Sequence, residues 1–192
     1  MKHIKIFGVA MVATVALGAV AVSSASAGLL FIGEPVGALI LGHALTNQVF
    51  KTAAGKEVVC TEATTHGKIA ELRSLFQLVT VNYGGCKAFG QKTTITPAQY
   101  LFSADGLVLI ENTVTITVEE LGFNCKVKVA PQDLQKVSYK NVGTTKLEEV
   151  SEVTGITSTT TGGFCGSESK VGTYSGNSEL LVDATGGSVQ VD

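Results

Sequence analysis

The chain reads as an all-β protein, an antiparallel β-sandwich or barrel-like meander of ten or more short strands that is disulfide-stapled. Three observations predict this. Apolar and polar residues alternate in short runs, most strictly at Val114, Ile116 and Val118 between Thr113, Thr115, Thr117 and Glu119, which is the period of a half-buried strand. Turn formers punctuate the runs, as at Pro97, Asp105-Gly106 and Pro131. Threonine is abundant, tryptophan is absent and no stretch makes an unambiguous helix, which suits a sandwich or barrel.

The first 27 residues stand apart. Lys2 and Lys5 open the chain, Ile6 to Val22 is uncharged and apolar, and small residues end in Ala25-Ser26-Ala27. A basic start, an apolar middle and an A-x-A close form a Sec-type signal peptide, with residues 1–27 cleaved. The apolar run contains Gly8 and Gly18 and spans 17 residues, short of the roughly 20 that cross a bilayer. Removing 27 of 192 residues leaves 165, enough for one core. The expected location is therefore secreted, extracellular or at the cell surface, with no stable membrane insertion after cleavage.

Residues 28–45 read as an apolar lead-in broken by Glu34-Pro35, with a first strand near Ala38 to Leu41 and His43 on a turn. Residues 46–192 then form a single all-β domain. Thr46 to Thr52 is a weak strand, Val58 to Cys60 is another, and Thr65-His66-Gly67 reads as a turn. Ile69 to Leu72 is ambiguous between strand and helix, whereas Leu75 to Tyr83 reads as strand up to the Gly84-Gly85 bend before Cys86.

Asp105-Gly106 between Tyr100–Phe102 and Leu107–Ile110 is a strong hairpin signal. Phe123 to Val129 puts Cys125, Val127 and Val129 on one face and Lys126 and Lys128 on the other. Val137 and Tyr139 alternate with Lys136, Ser138 and Lys140. Leu147, Val150, Val153 and Ile156 step by three, as in a helix, yet Thr154-Gly155 and Thr157 to Thr161 favour strand. Two late strands are expected near Lys170–Tyr174 and Leu180–Asp183, with a third at Ser188–Val191.

Four cysteines in an exported chain imply two disulfides. Cys60, Cys86, Cys125 and Cys165 are far apart in sequence and lack the C-x₂₋₄-C spacing that nucleates structural zinc. Local connections pair them in sequence order, Cys60–Cys86 and Cys125–Cys165, with the other two connectivities left open. Loops of these lengths restrict the unfolded chain by roughly 3.5 to 4 kcal/mol each.

Several runs then carry a resemblance: Cys86-Lys87-Ala88-Phe89-Gly90, Tyr100-Leu101-Phe102-Ser103-Ala104-Asp105-Gly106, and Cys125-Lys126-Val127-Lys128-Val129-Ala130-Pro131-Gln132. The close, through Gly162-Gly163-Phe164-Cys165 and Gly172-Thr173-Tyr174-Ser175-Gly176-Asn177, extends it. From Thr46 to Val191 the chain resembles uncharacterised secreted, cysteine-containing β-proteins that occur as many paralogues in Solirubrobacter-type soil actinobacteria. The resemblance implies extra cysteines, in many members, where this chain has Ala98 and Asn112. The joint absence of both supports sequence-order pairing of the other four. The resemblance implies no activity.

Catalytic signals are weak. There is no G-x-S-x-G elbow, P-loop, dinucleotide fingerprint or Asp-rich calcium loop, so neither a cofactor nor a metal is expected. Phe164-Cys165-Gly166-Ser167 faintly resembles a thiol-protease signature, but a lone nucleophile does not suit an even cysteine count. After cleavage only His43 and His66 remain as histidine bases. Glu119-Glu120 and Glu148-Glu149 are adjacent acids, which on a strand face opposite sides. The leader removes two of 14 basic and none of 16 acidic residues, leaving 12 against 16, net −4. That balance argues against nucleic acid and anionic membranes.

The expectation is a non-catalytic binding, interaction or structural module with an extracellular or cell-envelope partner. A carrier enclosing a small apolar ligand inside a β-barrel is the alternative, and an extracellular hydrolase a weaker one. Threonine-rich faces favour the module, whereas an internal cavity would favour the carrier.

Overall fold

A computed structural model describes residues 29–52, 55–120, 123–162 and 170–192. These residues contain no helix; they form strands joined by turns. In chain order the strands are β1 (Phe31–Glu34), β2 (Leu39–Ala44), β3 (Gln48–Lys51), β4 (Glu57–Cys60), β5 (Glu62–Lys68) and β6 (Arg73–Ser74). Next come β7 (Phe76–Gly84), β8 (Lys87–Ala88), β9 (Gln91–Ile95), β10 (Ala98–Ser103), β11 (Leu107–Ile110) and β12 (Val114–Glu120). The last are β13 (Phe123–Val129), β14 (Gln132–Gln135), β15 (Val137–Val142), β16 (Lys146–Thr161), β17 (Lys170–Val182) and β18 (Ser188–Val191). The all-β class is as expected, and the barrel is the architecture adopted.

One hairpin organises the fold. The strands β16 and β17 run for 16 and 13 residues and are paired along Lys146–Ser158 and Lys170–Leu181. One half of the hairpin closes an eight-stranded antiparallel barrel in the order β17-β3-β4-β8-β9-β12-β13-β16. Its other half carries a second sheet, β14-β11-β10-β7-β5-β2-β17-β16-β15. A bulge at Gly155, whose φ is +86°, separates Thr154 from Ile156 in the ladder. Such a bulge bends and twists its strand, and here it lies where the hairpin passes from one sheet to the other.

The second sheet curls back on itself. At its far edge, Gln132 Nε2 donates to the carbonyl of Thr157 at 2.9 Å, and the Thr157 N–H donates to Gln132 Oε1 at 2.8 Å. A three-stranded sheet, β18-β1-β6, covers the remaining side. The main core runs between these layers, with Ile40, Ile69, Val79, Leu147 and Val189 among its most buried members.

The structure corrects several expectations. Where an apolar lead-in is expected, residues 29–45 contribute two strands to the sheets: β1 pairs with β18 and β6, and β2 lies between β17 and β5. The apolar content of this stretch is that of sheet residues, with Phe31 and Ile40 in the core. His43 and Thr65-His66-Gly67 belong to strands rather than turns. A Cβ on Gly67 would lie 3.0 Å from the Leu78 carbonyl oxygen and Val79 Cγ1, so this glycine marks close strand approach, not a break.

Ile69 to Leu72 is neither strand nor helix. The two late strands are one, β17; its glycines permit contact, Gly172 with the Lys51 carbonyl and Gly176 with the Gln48 side chain. Lys146–Thr161 is strand throughout, as the threonines required. Val114, Ile116 and Val118 are buried and Thr115 and Thr117 are not, as the alternation required.

Cys60 and Cys86 are disulfide-bonded. Val58 pairs with Ala88 and Val59 with Lys87, so the bond extends the β4–β8 ladder by one rung. Since β8 has only two residues, the bond holds the thinnest part of the barrel wall. Cys125 is also disulfide-bonded and packs at the barrel's inner face with Ala88 and Val118. Cys165, its partner in the sequence-order reading, lies outside the described residues, as does the rest of Phe164-Cys165-Gly166-Ser167.

Candidate ligand site in the barrel interior

Two adjoining cavities occupy the interior. The first, about 50 Å³, is lined by the curled second sheet, with Phe50, Ile116 and Val129 on its barrel side. The second, about 70 Å³, lies within the barrel and shares Phe50, Ile116, Val129 and Ile156 with the first. Its outer end includes Lys51, Lys56, Glu57 and Phe89. There Lys51 pairs with Glu57 at 2.9 Å, and Lys56 Nζ stands 5.6 Å from the Phe89 ring centre. Thus the interior is apolar in its middle and has a charged rim at one end.

The polar residues of the first cavity come mainly from the long hairpin. Alternation along β16 sends Leu147, Glu149, Ser151 and Val153 inward, so a carboxylate is inserted into an otherwise apolar face. Glu149 is 7% exposed. Its Oε1 accepts a hydrogen bond from Ser151 Oγ at 2.5 Å, and among the described residues no Lys, Arg or His forms an ion pair with it. Burial pushes the carboxyl up to about 7, against a smaller downward pull from the Ser151 hydrogen bond.

Aromatic rings complete the wall. The Phe50 ring centre is 5.1 Å from Tyr83 and 4.9 Å from Tyr174, and Tyr83 and Tyr174 are 6.4 Å apart. Tyr83 and Tyr100 join hydroxyl to hydroxyl at 2.9 Å. The Tyr174 hydroxyl donates to Oε1 of Gln48, a fully buried residue whose Nε2 donates to the carbonyls of Thr46 and Asn177. Removal from water raises the pKa of every one of these phenols, Tyr100 to about 12, and the nearby Glu149 charge adds to the rise at Tyr100 and Tyr174. All are neutral hydrogen-bonding groups at ordinary pH.

Tyr139 lies on β15 directly opposite Glu149. Its ring packs edge-on against Phe31 at 5.2 Å. Its hydroxyl is buried and has no hydrogen-bond partner among the described residues.

Of the residues singled out from sequence, Glu149 and Cys125 line the cavities and the histidines fall elsewhere. His43 and His66 are exposed on β2 and β5 and do not line either cavity. Glu148 and Glu149 face opposite sides of β16, as adjacent strand residues must, but Glu149 alone lines the cavity. Its signal was the shared face with Leu147 and Val153, visible once the segment is taken as strand. No helix among the described residues is long and apolar enough to cross a membrane.

Compared with protein-family models, curated proteins and solved structures, the chain finds no match.

Proposed function

We propose that this is an exported, non-catalytic β-barrel protein that carries or senses a small, largely apolar molecule in its interior. The observation that carries the reading is the pair of adjoining cavities, with apolar middles and one cluster of polar groups around Glu149. Binding sites are typically concave and mostly apolar with a few placed polar groups. Neither cavity alone approaches the ~150 Å³ that holds a benzene-sized guest. Together they amount to about 120 Å³, four-fifths of it. Export is supported by the leader pattern and by the Cys60–Cys86 bond, since such bonds persist in oxidising compartments.

The test is a thermal-shift series with small neutral guests such as isobutanol and benzene on the wild-type protein and on Val129→Phe, which fills the shared wall. A rise in Tm that saturates with guest, lost in Val129→Phe, supports the reading. Val129→Leu serves as the milder filling variant if Val129→Phe does not fold. No saturable shift with any guest, or equal shifts in the filled variants, overturns it.

A second reading, a surface interaction module, is favoured by a group of exposed apolar residues. Leu72, Leu75, Phe76 and Leu78 are 43–55% exposed, and Leu78 lies opposite Leu101. Contiguous apolar surface of this kind is characteristic of docking sites. The guest series separates the two readings, because a surface module is indifferent to filling the interior.

A further inference from the structure

Resting on the reading of the interior as a ligand site, we infer that the occupant is a small organic cation, a protonated amine on a short apolar stem, with Glu149 as its counter-ion. Glu149 is buried at the cavity wall, and among the described residues its carboxylate receives the Ser151 hydroxyl and no cation. A buried carboxylate left without a positive partner is costly. The groups that face it from neighbouring strands are Tyr139 on β15, Tyr174 on β17 and Tyr100 on β10. Each is neutral at ordinary pH, so none supplies the missing charge.

The surrounding surface also suits a cation. Phe50, Tyr83 and Tyr174 lie with ring centres 4.9–6.4 Å apart, and aromatic faces attract ammonium groups. An anionic guest would meet Glu149 with the same sign of charge. The apolar wall of Ile116, Val129 and Val153 would take the stem. A volume of about 50 Å³, extended by the 70 Å³ behind Phe50, sets the scale at a guest of about five heavy atoms.

The experiment compares isobutylammonium with isobutanol, which differ mainly in charge. Binding is followed by calorimetry at pH 8 and pH 5.5 on the wild type, Glu149→Gln and Val129→Phe. At pH 8 the amine is expected to bind about tenfold more tightly than the alcohol. Glu149→Gln should lose that preference while still binding the alcohol. At pH 5.5 the amine should weaken and its binding release a proton, measured as a buffer-dependent heat.

Equal binding of amine and alcohol, unchanged in Glu149→Gln, overturns the inference but leaves the interior site standing. Failure of both guests to bind, or binding unaffected by Val129→Phe, overturns the interior site itself. If Glu149→Gln does not fold, the wild-type amine preference and its pH dependence still decide the matter.

Discussion

Ser151 donates its hydroxyl to the Glu149 carboxylate from two residues along the same strand, leaving a buried acid with a neutral companion. That relationship sets the pH behaviour of the fold. The folded-state pKa of Glu149 is raised from 4.5 to about 7, so its charged form is disfavoured by folding. The penalty is absent below about pH 4.5, grows as pH rises towards 7 and is full above that. It amounts to about 3 kcal/mol. The unliganded protein should therefore melt at higher temperature at pH 5 than at pH 8 on account of this group. Glu149→Gln should flatten that slope and raise the Tm at pH 8. An unchanged slope in the variant would contradict the assignment.

Tyr139 provides a second test. Its hydroxyl is buried with no partner among the described residues, and such a group destabilises by its lost hydration. Tyr139→Phe keeps the edge-on contact with Phe31 and removes the hydroxyl. Chemical denaturation should show it equal to or about 1 kcal/mol more stable than the wild type. A clear loss would mean that the hydroxyl has a partner in solution.

These two residues also show where sequence reasoning reaches its limit. Strand faces were legible, as Val114-Ile116-Val118 and Cys125-Val127-Val129 demonstrate, because side-chain alternation is local. Barrel closure was not, since it depends on β17 pairing with β16 and with β3, more than a hundred residues earlier in the chain. Gly67 and Gly176 look like breaks in sequence yet are points of close approach within strands. Glu149 had a readable signal in its inward register, but its isolation within a cavity arises only when β7, β10, β15 and β17 converge on it.

The disulfide at the thin barrel wall should contribute strongly. Cys60 and Cys86 are 26 residues apart, which on loop entropy corresponds to about 3.5 kcal/mol. Replacing both with alanine should lower denaturant stability by roughly that amount, and loosen hydrogen-exchange protection around β4 and β8 first. A global loss without local loosening would argue against a role for the bond in holding the β4–β8 ladder.

A new disulfide is also predicted between positions 98 and 112. The Glu111 N–H donates to the Gln99 carbonyl at 2.9 Å, and the Gln99 N–H donates to Asn112 Oδ1 at 2.8 Å, so the two segments stay side by side beyond the end of the β10–β11 ladder. Continuing the Tyr100–Ile110 register outward by two residues sets Ala98 opposite Asn112, and directly opposed Cβ atoms of an antiparallel pair lie about 4.5–5.5 Å apart. Ala98→Cys with Asn112→Cys should oxidise without distortion, as intact mass would reveal. The bond offsets loss of the Asn112 contacts to Gln99 and Pro97, for a net gain of about 1 kcal/mol. Two free thiols after oxidation would contradict the register.

The most direct measurement is an NMR search for intermolecular NOEs between protonated isobutanol and the methyl-labelled protein. Contacts to Ile116, Val129 and Val153, with ring contacts to Tyr174, are predicted for a guest held inside. Contacts confined to Leu72, Leu75 and Leu78 on the outer surface would contradict the interior site and establish a surface module instead.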